Sequence, residues 1–194
     1  MAQGMGAFVR RVGVVLLAAA LMPLASCAPG GAAIGDAGSG ESDVRSTGME
    51  RNDVSIGMVG SHEASADGLV LDAYDHAGLD ASYVRLRDSA DPVEAGQRAV
   101  RDLVSRQVAV IVISGLDVSR DADGWNDALN SARTAGIPVI LLNPIHEPGD
   151  ARLYAASFTV NDRATDATPI DKATMLVVDD RAHERNLMVS TVTR

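Results

Sequence analysis

Cysteine and positive charge are scarce in this 194-residue chain. Cys27 is the only cysteine, which excludes a framework of disulfide bonds. Only 17 lysine and arginine residues stand against 26 aspartate and glutamate residues, so the formal net charge is −9. This balance argues against a nucleic-acid partner and against electrostatic attraction to anionic lipids. Any contact with a membrane therefore needs another physical basis.

Motifs for catalysis and for metal binding are missing as well. The sequence has no Gly-x-Ser-x-Gly nucleophile elbow, no P-loop and no His-Glu-x-x-His pair. Two pairs of neighbouring residues could gather as metal ligands: His62 with Glu63, and His146 with Glu147. Their spacing is not that of a zinc site, so we expect no metal and no cofactor. The absences favour a binding protein over an enzyme.

The N-terminus has the pattern of a bacterial lipoprotein signal. Arg10 and Arg11 precede an apolar run, Val12 to Leu24, that is too short to span a bilayer of about 30 Å. The run ends in Leu-Ala-Ser-Cys, which resembles the lipobox of bacterial lipoproteins. The resemblance implies that residues 1–26 are a signal peptide, that Cys27 is acylated, and that palmitate-type chains hold the protein on the extracytoplasmic face of the plasma membrane.

A segment of low complexity follows the cysteine. Residues 27–50 are rich in Gly, Ala, Ser and Asp and show no apolar period. This composition is typical of a flexible tether that holds a folded domain away from the lipid headgroups. We expect one domain over residues 51–194, since that length supports a single hydrophobic core.

Apolar patterning in this domain alternates between strand and helix. Short β-branched runs predict strands at 54–59, 82–86, 108–114, 139–142 and 153–160. Helical spacing predicts helices in the intervals, including Ala66 to Ala77, one opened by Asp91-Pro92-Val93-Glu94, and one around Trp125. Strand-helix alternation predicts an α/β fold of three layers, a doubly wound and mostly parallel sheet.

The last 34 residues are open to two interpretations. Thr168-Pro169-Ile170-Asp171 looks like a capped helix start, with Ile170, Ala173 and Val177 on one side. Alternatively, Met175 to Val178 is a strand. Leu187 to Thr193 reads as a final strand in either case.

Several segments resemble the first lobe of type I periplasmic sugar-binding proteins, the ribose- and galactose-binding group related to LacI-type repressors. The similarity is carried by Gln97 to Val112, Trp125 to Leu129 and Ala135 to Ile140. Val160-Asn161-Asp162 resembles the step at which those proteins cross to their second lobe. The resemblance implies a flavodoxin-like topology and a sugar-type solute-binding protein that serves an ABC permease.

The chain departs from the family pattern in three respects. The fourth strand is followed by Asn143 and Pro144, where sugar binders commonly carry Asp-Arg. The loop Ser61-His62-Glu63 lacks the aromatic residues that usually stack on a sugar ring. The sequence ends at Arg194, so we expect a single lobe, without a second one of roughly 130 residues.

Loops at the carboxyl ends of parallel strands surround the crevice where ligands bind in such sheets. The residues that we expect to contact a ligand there are Ser61, His62, Glu63, Gly115, Asp117, Asn143 and Asp162. Two functions compete: a lipid-anchored solute-binding protein reduced to one lobe, or an envelope interaction or sensory lipoprotein that has lost solute binding and forms a homodimer through the exposed surface. An exposed apolar patch would favour the second.

Overall fold

The computed structural model describes residues 31–38, 48–61 and 66–192. The leader, Cys27, His62 and Glu63 lie outside this part of the chain, so the predictions that fall on them remain predictions. Strands and helices alternate in the order β1 (Ser55–Val59), α1 (Asp67–His76), β2 (Asp80–Val84), α2 (Pro92–Ser105), β3 (Val110–Ser114), α3 (Ala122–Thr134), β4 (Val139–Leu142), β5 (Ala156–Val160), β6 (Thr168–Pro169), α4 (Ile170–Val178) and β7 (Asn186–Ser190). Short 3-10 helices occupy Arg51–Asp53, Val118–Arg120 and Ala151–Leu153.

The strands form one seven-stranded sheet in the order β2-β1-β3-β4-β5-β7-β6. Every pairing is parallel. The chain runs outward from β1 to β2 and then returns past β1 to β3, so the strand order reverses between β1 and β3. The α/β, doubly wound prediction is confirmed, and this reversal locates the crevice in which such sheets bind ligands.

Two apolar clusters lie on opposite faces of the sheet. On one face, α2 and α3 pack over side chains such as Ile111, Ile113 and Leu141. On the other, α1 and α4 pack over Val110, Val112 and their neighbours. All five residues of β3 are buried, because helices cover this central strand on both sides. The three-layer prediction therefore holds.

The start of α2 follows the capping pattern in the sequence. The Asp91 carboxylate accepts hydrogen bonds from the backbone N–H groups of Val93 and Glu94, each at 3.0 Å. Pro92 occupies the first turn, where its missing N–H costs no hydrogen bond. The cap fixes the direction in which α2 leaves the carboxyl edge of the sheet.

The structure corrects several local predictions. Strand β2 begins at Asp80, two residues earlier than predicted, because Asp80 pairs with Ser55 at the edge of the sheet. Within the predicted helix Ala66 to Ala77, helical spacing puts Leu69, Val70 and Tyr74 on the apolar face, but Leu69 is 55% exposed, while Val70 and Tyr74 are buried. Thr168 belongs to β6 and does not cap α4, which begins at Ile170 without a side-chain cap. Met175 to Val178 is helical, so the rival strand is wrong.

The tether prediction is corrected for residues 31–38, which pack on the amino-terminal edge of the sheet. Ala33 and Gly35 are buried there. His183 Nε2 lies 2.9 Å from the carbonyl oxygen of Gly35, and Arg185 forms an ion pair with Asp36. Gly35 has φ +79°, and a Cβ there would lie 2.9 Å from Pro138 Cβ, so glycine is needed for this close approach. Composition gave no signal of this packing, because the partners lie about 150 residues further along the chain.

Candidate functional site

The loops that follow β1 and β3 meet at the point where the strand order reverses. Gly115 follows β3 with φ +63°, a conformation that favours glycine. A Cβ on Gly115 would lie 2.8 Å from Ser61 Oγ, so the Ser61 hydroxyl sits directly against the Gly115 backbone. The structure thus brings together two of the predicted ligand residues, at the crevice expected from the topology.

Asp117 joins this region to the loop after β4. Its Oδ1 accepts hydrogen bonds from the Ser119 hydroxyl at 2.6 Å and the Ser119 N–H at 3.1 Å. The same oxygen lies 2.9 Å from His146 Nδ1. The Ser119 hydroxyl is the main reason that the pKa of Asp117 is lowered; desolvation opposes the shift and His146 adds to it. Asp117 therefore presents a carboxylate whose position is held by its neighbours.

Asn143 marks the end of β4 and has φ +46°, a conformation that asparagine tolerates better than most residues. Its Oδ1 accepts a hydrogen bond from the Val160 N–H at 2.9 Å, and its own N–H donates to the Phe158 carbonyl at 2.7 Å. Both bonds tie β4 to β5. The side-chain oxygen of this predicted ligand residue thus already has a structural partner.

Asp162 lies beyond β5 and is bound to the end of β7. One carboxylate oxygen accepts from the Ser190 hydroxyl at 3.0 Å and the Thr191 N–H at 2.7 Å. The other accepts from the Thr191 hydroxyl at 2.8 Å. Partial burial would raise the pKa of Asp162, but these hydrogen bonds outweigh it and leave the pKa lowered. The contacts give Asp162 a structural role at some distance along the sheet from the reversal point.

Replacing Asp162 by alanine is expected to lower the free energy of unfolding at pH 7 by about 1–3 kcal/mol, since a charged acceptor of three hydrogen bonds is lost. The pKa of Asp162 is lower in the folded protein than in the unfolded chain, so the ionised carboxylate stabilises the fold at any pH above its ordinary pKa. This stabilisation is lost as the pH falls through the pKa of Asp162 in the folded protein. When the pH is lowered from 7 to below about 4, the free energy of unfolding should therefore fall less in the variant than in the parent. Urea titrations at pH 7 and pH 3 measure both effects.

Asp166→Ala is the matched control, because Asp166 is an exposed carboxylate in the same loop. We expect it to change the free energy of unfolding by less than about 0.5 kcal/mol. Equal costs for the two variants would contradict the structural role of Asp162.

Two hollows adjoin the reversal point and involve residues that the sequence did not single out. One, of about 50 Å³, lies between Gly115, Leu116 and Asp117 on one side and Leu86 and Trp125 on the other. The second, of about 300 Å³, is lined by Ser61, Asp67, Gly68, Leu71, Tyr83, Arg85 and Arg87. The alternation Tyr83-x-Arg85-x-Arg87 was the available signal, since residues two apart in an extended segment point to the same side. A larger hollow, of about 640 Å³, borders residues 32–37 at the opposite edge of the sheet, away from the strand ends that form the crevice.

Neither a metal site nor a membrane-spanning helix is found in residues 31–38, 48–61 and 66–192. No three of their His, Cys, Asp and Glu side chains are grouped so as to hold a metal ion. None of the helices described there has both the length and the apolar character needed to cross a bilayer. Of the residues considered as metal ligands, His146 contacts Asp117, and Glu147 accepts from the Tyr154 hydroxyl.

Comparison with known proteins finds a curated relative. No family model matches the chain. The sequence is 27% identical over 149 residues to the fructose import binding protein FruE of Bifidobacterium longum (strain NCC 2705). The alignment covers 76% of this chain and 41% of FruE, so the chain spans about two fifths of the length of its curated relative. FruE is named as a binding protein.

Solved structures give weaker matches. The periplasmic binding protein of the arabinose ABC transporter from Shewanella sp. ANA-3, bound to α- and β-L-arabinofuranose, aligns with a TM-score of 0.44 and 17% identity, covering 72% of this chain and 56% of that one. An ABC transporter solute-binding protein from Bacillus halodurans C-125 with bound myo-inositol aligns with a TM-score of 0.43 and 16% identity, covering 66% and 43%. The similarity to FruE bears out the resemblance to the type I periplasmic sugar-binding protein family, over part of the relative's length.

Proposed function

We propose that this protein is a lipid-anchored, extracytoplasmic solute-binding protein of sugar type, linked to an ABC importer. The observation that carries the proposal is the crevice at the strand reversal, where Ser61 Oγ meets Gly115 and where Asp117 is held in place by Ser119 and His146. Hydroxyl, carboxylate and imidazole groups at one edge of a parallel sheet suit a polyhydroxylated ligand.

The curated relative supports the choice of a sugar. FruE is named for fructose import, and the alignment with it covers 76% of this chain. Fructose is therefore the first ligand to test. A single lobe covers roughly half of a small ligand, whereas small-molecule sites usually bury about 70–90% of the ligand surface, so we expect the crevice of the described lobe to bind a sugar weakly.

The packing of residues 31–38 gives the anchored protein an orientation. Cys27 precedes Gly31 by four residues, which span at most about 14 Å when fully extended. Because residues 31–38 lie on the amino-terminal edge of the sheet, an acyl anchor on Cys27 holds that edge near the lipid. The crevice at the carboxyl edge then faces away from the membrane, where solute and a permease loop can reach it.

Titration calorimetry tests solute binding directly. The full chain, held in an amine-oxide detergent that carries neither sugar nor phosphate, is titrated with fructose, then with pentoses, other hexoses and autoinducer-type furanoses. We expect heat with at least one of them and a matching rise in thermal stability, since a ligand at about 100 times its dissociation constant adds about 2.7 kcal/mol. A folded sample that gives no heat with any of these sugars rules the proposal out.

A pair of glycine variants tests whether the sugar binds at the crevice. Gly115→Ala introduces a Cβ 2.8 Å from Ser61 Oγ, and we expect it to weaken binding at least about tenfold. Gly136→Ala is the matched control, since Gly136 has a similar φ of +74° but no atom within 4 Å of its Cβ position. If both variants bind the sugar equally, the ligand lies elsewhere.

The alternative of an interaction or sensory lipoprotein gains no specific support. The most exposed large apolar side chains are Met49, Leu69, Ile145, Met188 and Val192. Met49, Leu69 and Ile145 come from separate segments of the described chain, while Met188 and Val192 lie in and just after β7. Scattered exposed apolar side chains are normal on a protein surface. We therefore retain solute binding as the proposed function.

A further inference from the structure

A cavity of about 300 Å³ lies beside the crevice, at the carboxyl ends of β1 and β2. The first turn of α1 forms one wall through Asp67 and Gly68, and the segment after β2 forms another through Arg85 and Arg87. Ser61, at the end of β1, lines this cavity and also contacts Gly115 in the crevice. A group bound in the cavity would thus be a neighbour of a solute in the crevice.

Two guanidinium groups face the cavity. Arg85 and Arg87 both line the cavity, while Leu86 between them is buried in the cluster beneath α2 and α3. Within the described part of the chain, neither arginine takes part in an ion pair or a hydrogen bond. Both are exposed and so can be reached by a ligand.

Some arginines of the described chain are paired with carboxylates, and others, among them Arg85, Arg87 and Arg101, are not. In a chain of net charge −9, an arginine has many carboxylates available as partners. Five arginines of the described chain do form ion pairs: Arg51 with Asp171, Arg98 with Glu94, Arg106 with Asp102, Arg152 with Asp150, and Arg185 with Asp36. Two adjacent arginines that face a cavity instead of a carboxylate leave their donors open to an external anion.

Asp67 is the negative group in the cavity wall, and its contacts orient the remaining polar atoms. Its Oδ2 accepts hydrogen bonds from the Ser61 N–H at 2.9 Å and from the Tyr83 hydroxyl at 2.8 Å. Burial of the phenol, its hydrogen bond to Asp67 and the negative charge of Asp67 raise the pKa of Tyr83 to about 12. The positive charges of Arg85 and Arg87 oppose this shift. The phenol therefore stays neutral, and two positive charges face one carboxylate among the lining residues.

We propose that this cavity, the Arg85–Arg87 cavity, is an anion subsite that binds the carboxylate of a sugar acid or the phosphate of a sugar phosphate. Guanidinium groups bind both anions through paired N–H donors. The second residue of α1, Gly68, adds a backbone N–H that has no acceptor within the helix. The inference rests on the proposed function and deepens it, because it adds a charged group to the class of sugars that the crevice receives.

The test is an NMR titration of the full chain in the same amine-oxide detergent, at low ionic strength. The probes are inorganic phosphate, D-galacturonate and neutral D-galactose. We expect at least one anion to give saturable shifts at the Ser61 and Gly68 amides and at the Nε–H groups of Arg85 and Arg87. Shifts with phosphate alone support a phosphate ester as the ligand group, and shifts with galacturonate alone support a carboxylate.

Arg85→Gln with Arg87→Gln is the test variant, and Arg101→Gln is its control. Arg101 is an exposed arginine on α2, remote in sequence from the cavity and without an ion pair in the described chain. The double variant should raise the dissociation constant of the anion at least about tenfold, whereas the control should change it less than about twofold. Unshifted amides elsewhere in the spectrum show that the variants remain folded.

Three results overturn the subsite. They are no saturable shift with either anion, an affinity for neutral galactose equal to that of the anion that binds, and an unchanged anion affinity in the double variant. These outcomes are separate from failure of the proposed function. That failure is the absence of heat with any neutral sugar, which leaves the anion titration unaffected.

Discussion

Cys27→Ala is expected to move the protein almost entirely from the membrane fraction to the soluble fraction. The thiol of Cys27 is the only one in the chain, so it alone can carry a thioether-linked lipid. A net charge of −9 gives no electrostatic hold on anionic lipids, which leaves acyl chains as the membrane contact. Two or more chains make such binding stable, and their removal abolishes it. Carbonate-washed membranes, probed by immunoblot, and labelling with a palmitate analogue measure the change.

Ser26→Ala is the matched control, since alanine keeps the residue before Cys27 small. It should leave both membrane retention and palmitate labelling unchanged. A Cys27→Ala protein that stays in carbonate-washed membranes would show that another segment anchors the chain, and the lipoprotein part of the proposal would then fail.

Much of the fold was predictable because local signals and tertiary contacts agree. Strand β4 has the predicted bounds, Val139–Leu142, since its four residues are apolar and all of them are buried. The start of α2 could be predicted from Asp91 because the cap is local: its carboxylate accepts hydrogen bonds from the N–H groups two and three residues further along the chain. These elements carry their own boundary signals.

Boundaries were wrong where a distant partner decides them. Strand β2 includes the polar Asp80 because it pairs with Ser55 of β1, while the apolar Leu86 lies beyond the strand and packs beneath α2 and α3. Composition assigned Leu86 to the strand and left Asp80 out of it. Residues 31–38 had the composition of a tether, yet the distant residues His183 and Arg185 hold them. No local pattern carries such information.

The candidate site was predictable to the level of topology. Alternating strands and helices placed Ser61, Gly115 and Asp117 at one sheet edge, and the observed strand order makes Ser61 and Gly115 neighbours. The sequence did not reveal that the side-chain oxygens of Asn143 and Asp162 bind neighbouring strands. Which polar groups remain open to a ligand depends on three-dimensional contacts, which is why the cavity beside Arg85 was missed.

Phe158→Ala is expected to lower the free energy of unfolding by about 3–5 kcal/mol, the usual cost of removing a fully buried phenylalanine ring. Phe158 is 0% exposed. It lies on β5 between Leu142 of β4 and Leu187 of β7, and belongs to the cluster covered by α1 and α4. Because domains are typically stable by only about 5–15 kcal/mol, this loss is a large share of the total. Urea titration followed by circular dichroism measures it.

Leu69→Ala is the control for this prediction, because Leu69 is also a large apolar residue but is 55% exposed on α1. We expect a change of less than about 0.5 kcal/mol, since little apolar surface returns to water and alanine favours the helix. Phe158→Leu should fall between the two variants, because leucine refills most of the cavity. The loss in free energy of unfolding should therefore be largest for Phe158→Ala, intermediate for Phe158→Leu and smallest for Leu69→Ala, because β5 lies between β4 and β7. If Phe158→Ala costs no more than Leu69→Ala, the side chain of Phe158 is not buried between β4 and β7, and the position of β5 in the sheet is wrong.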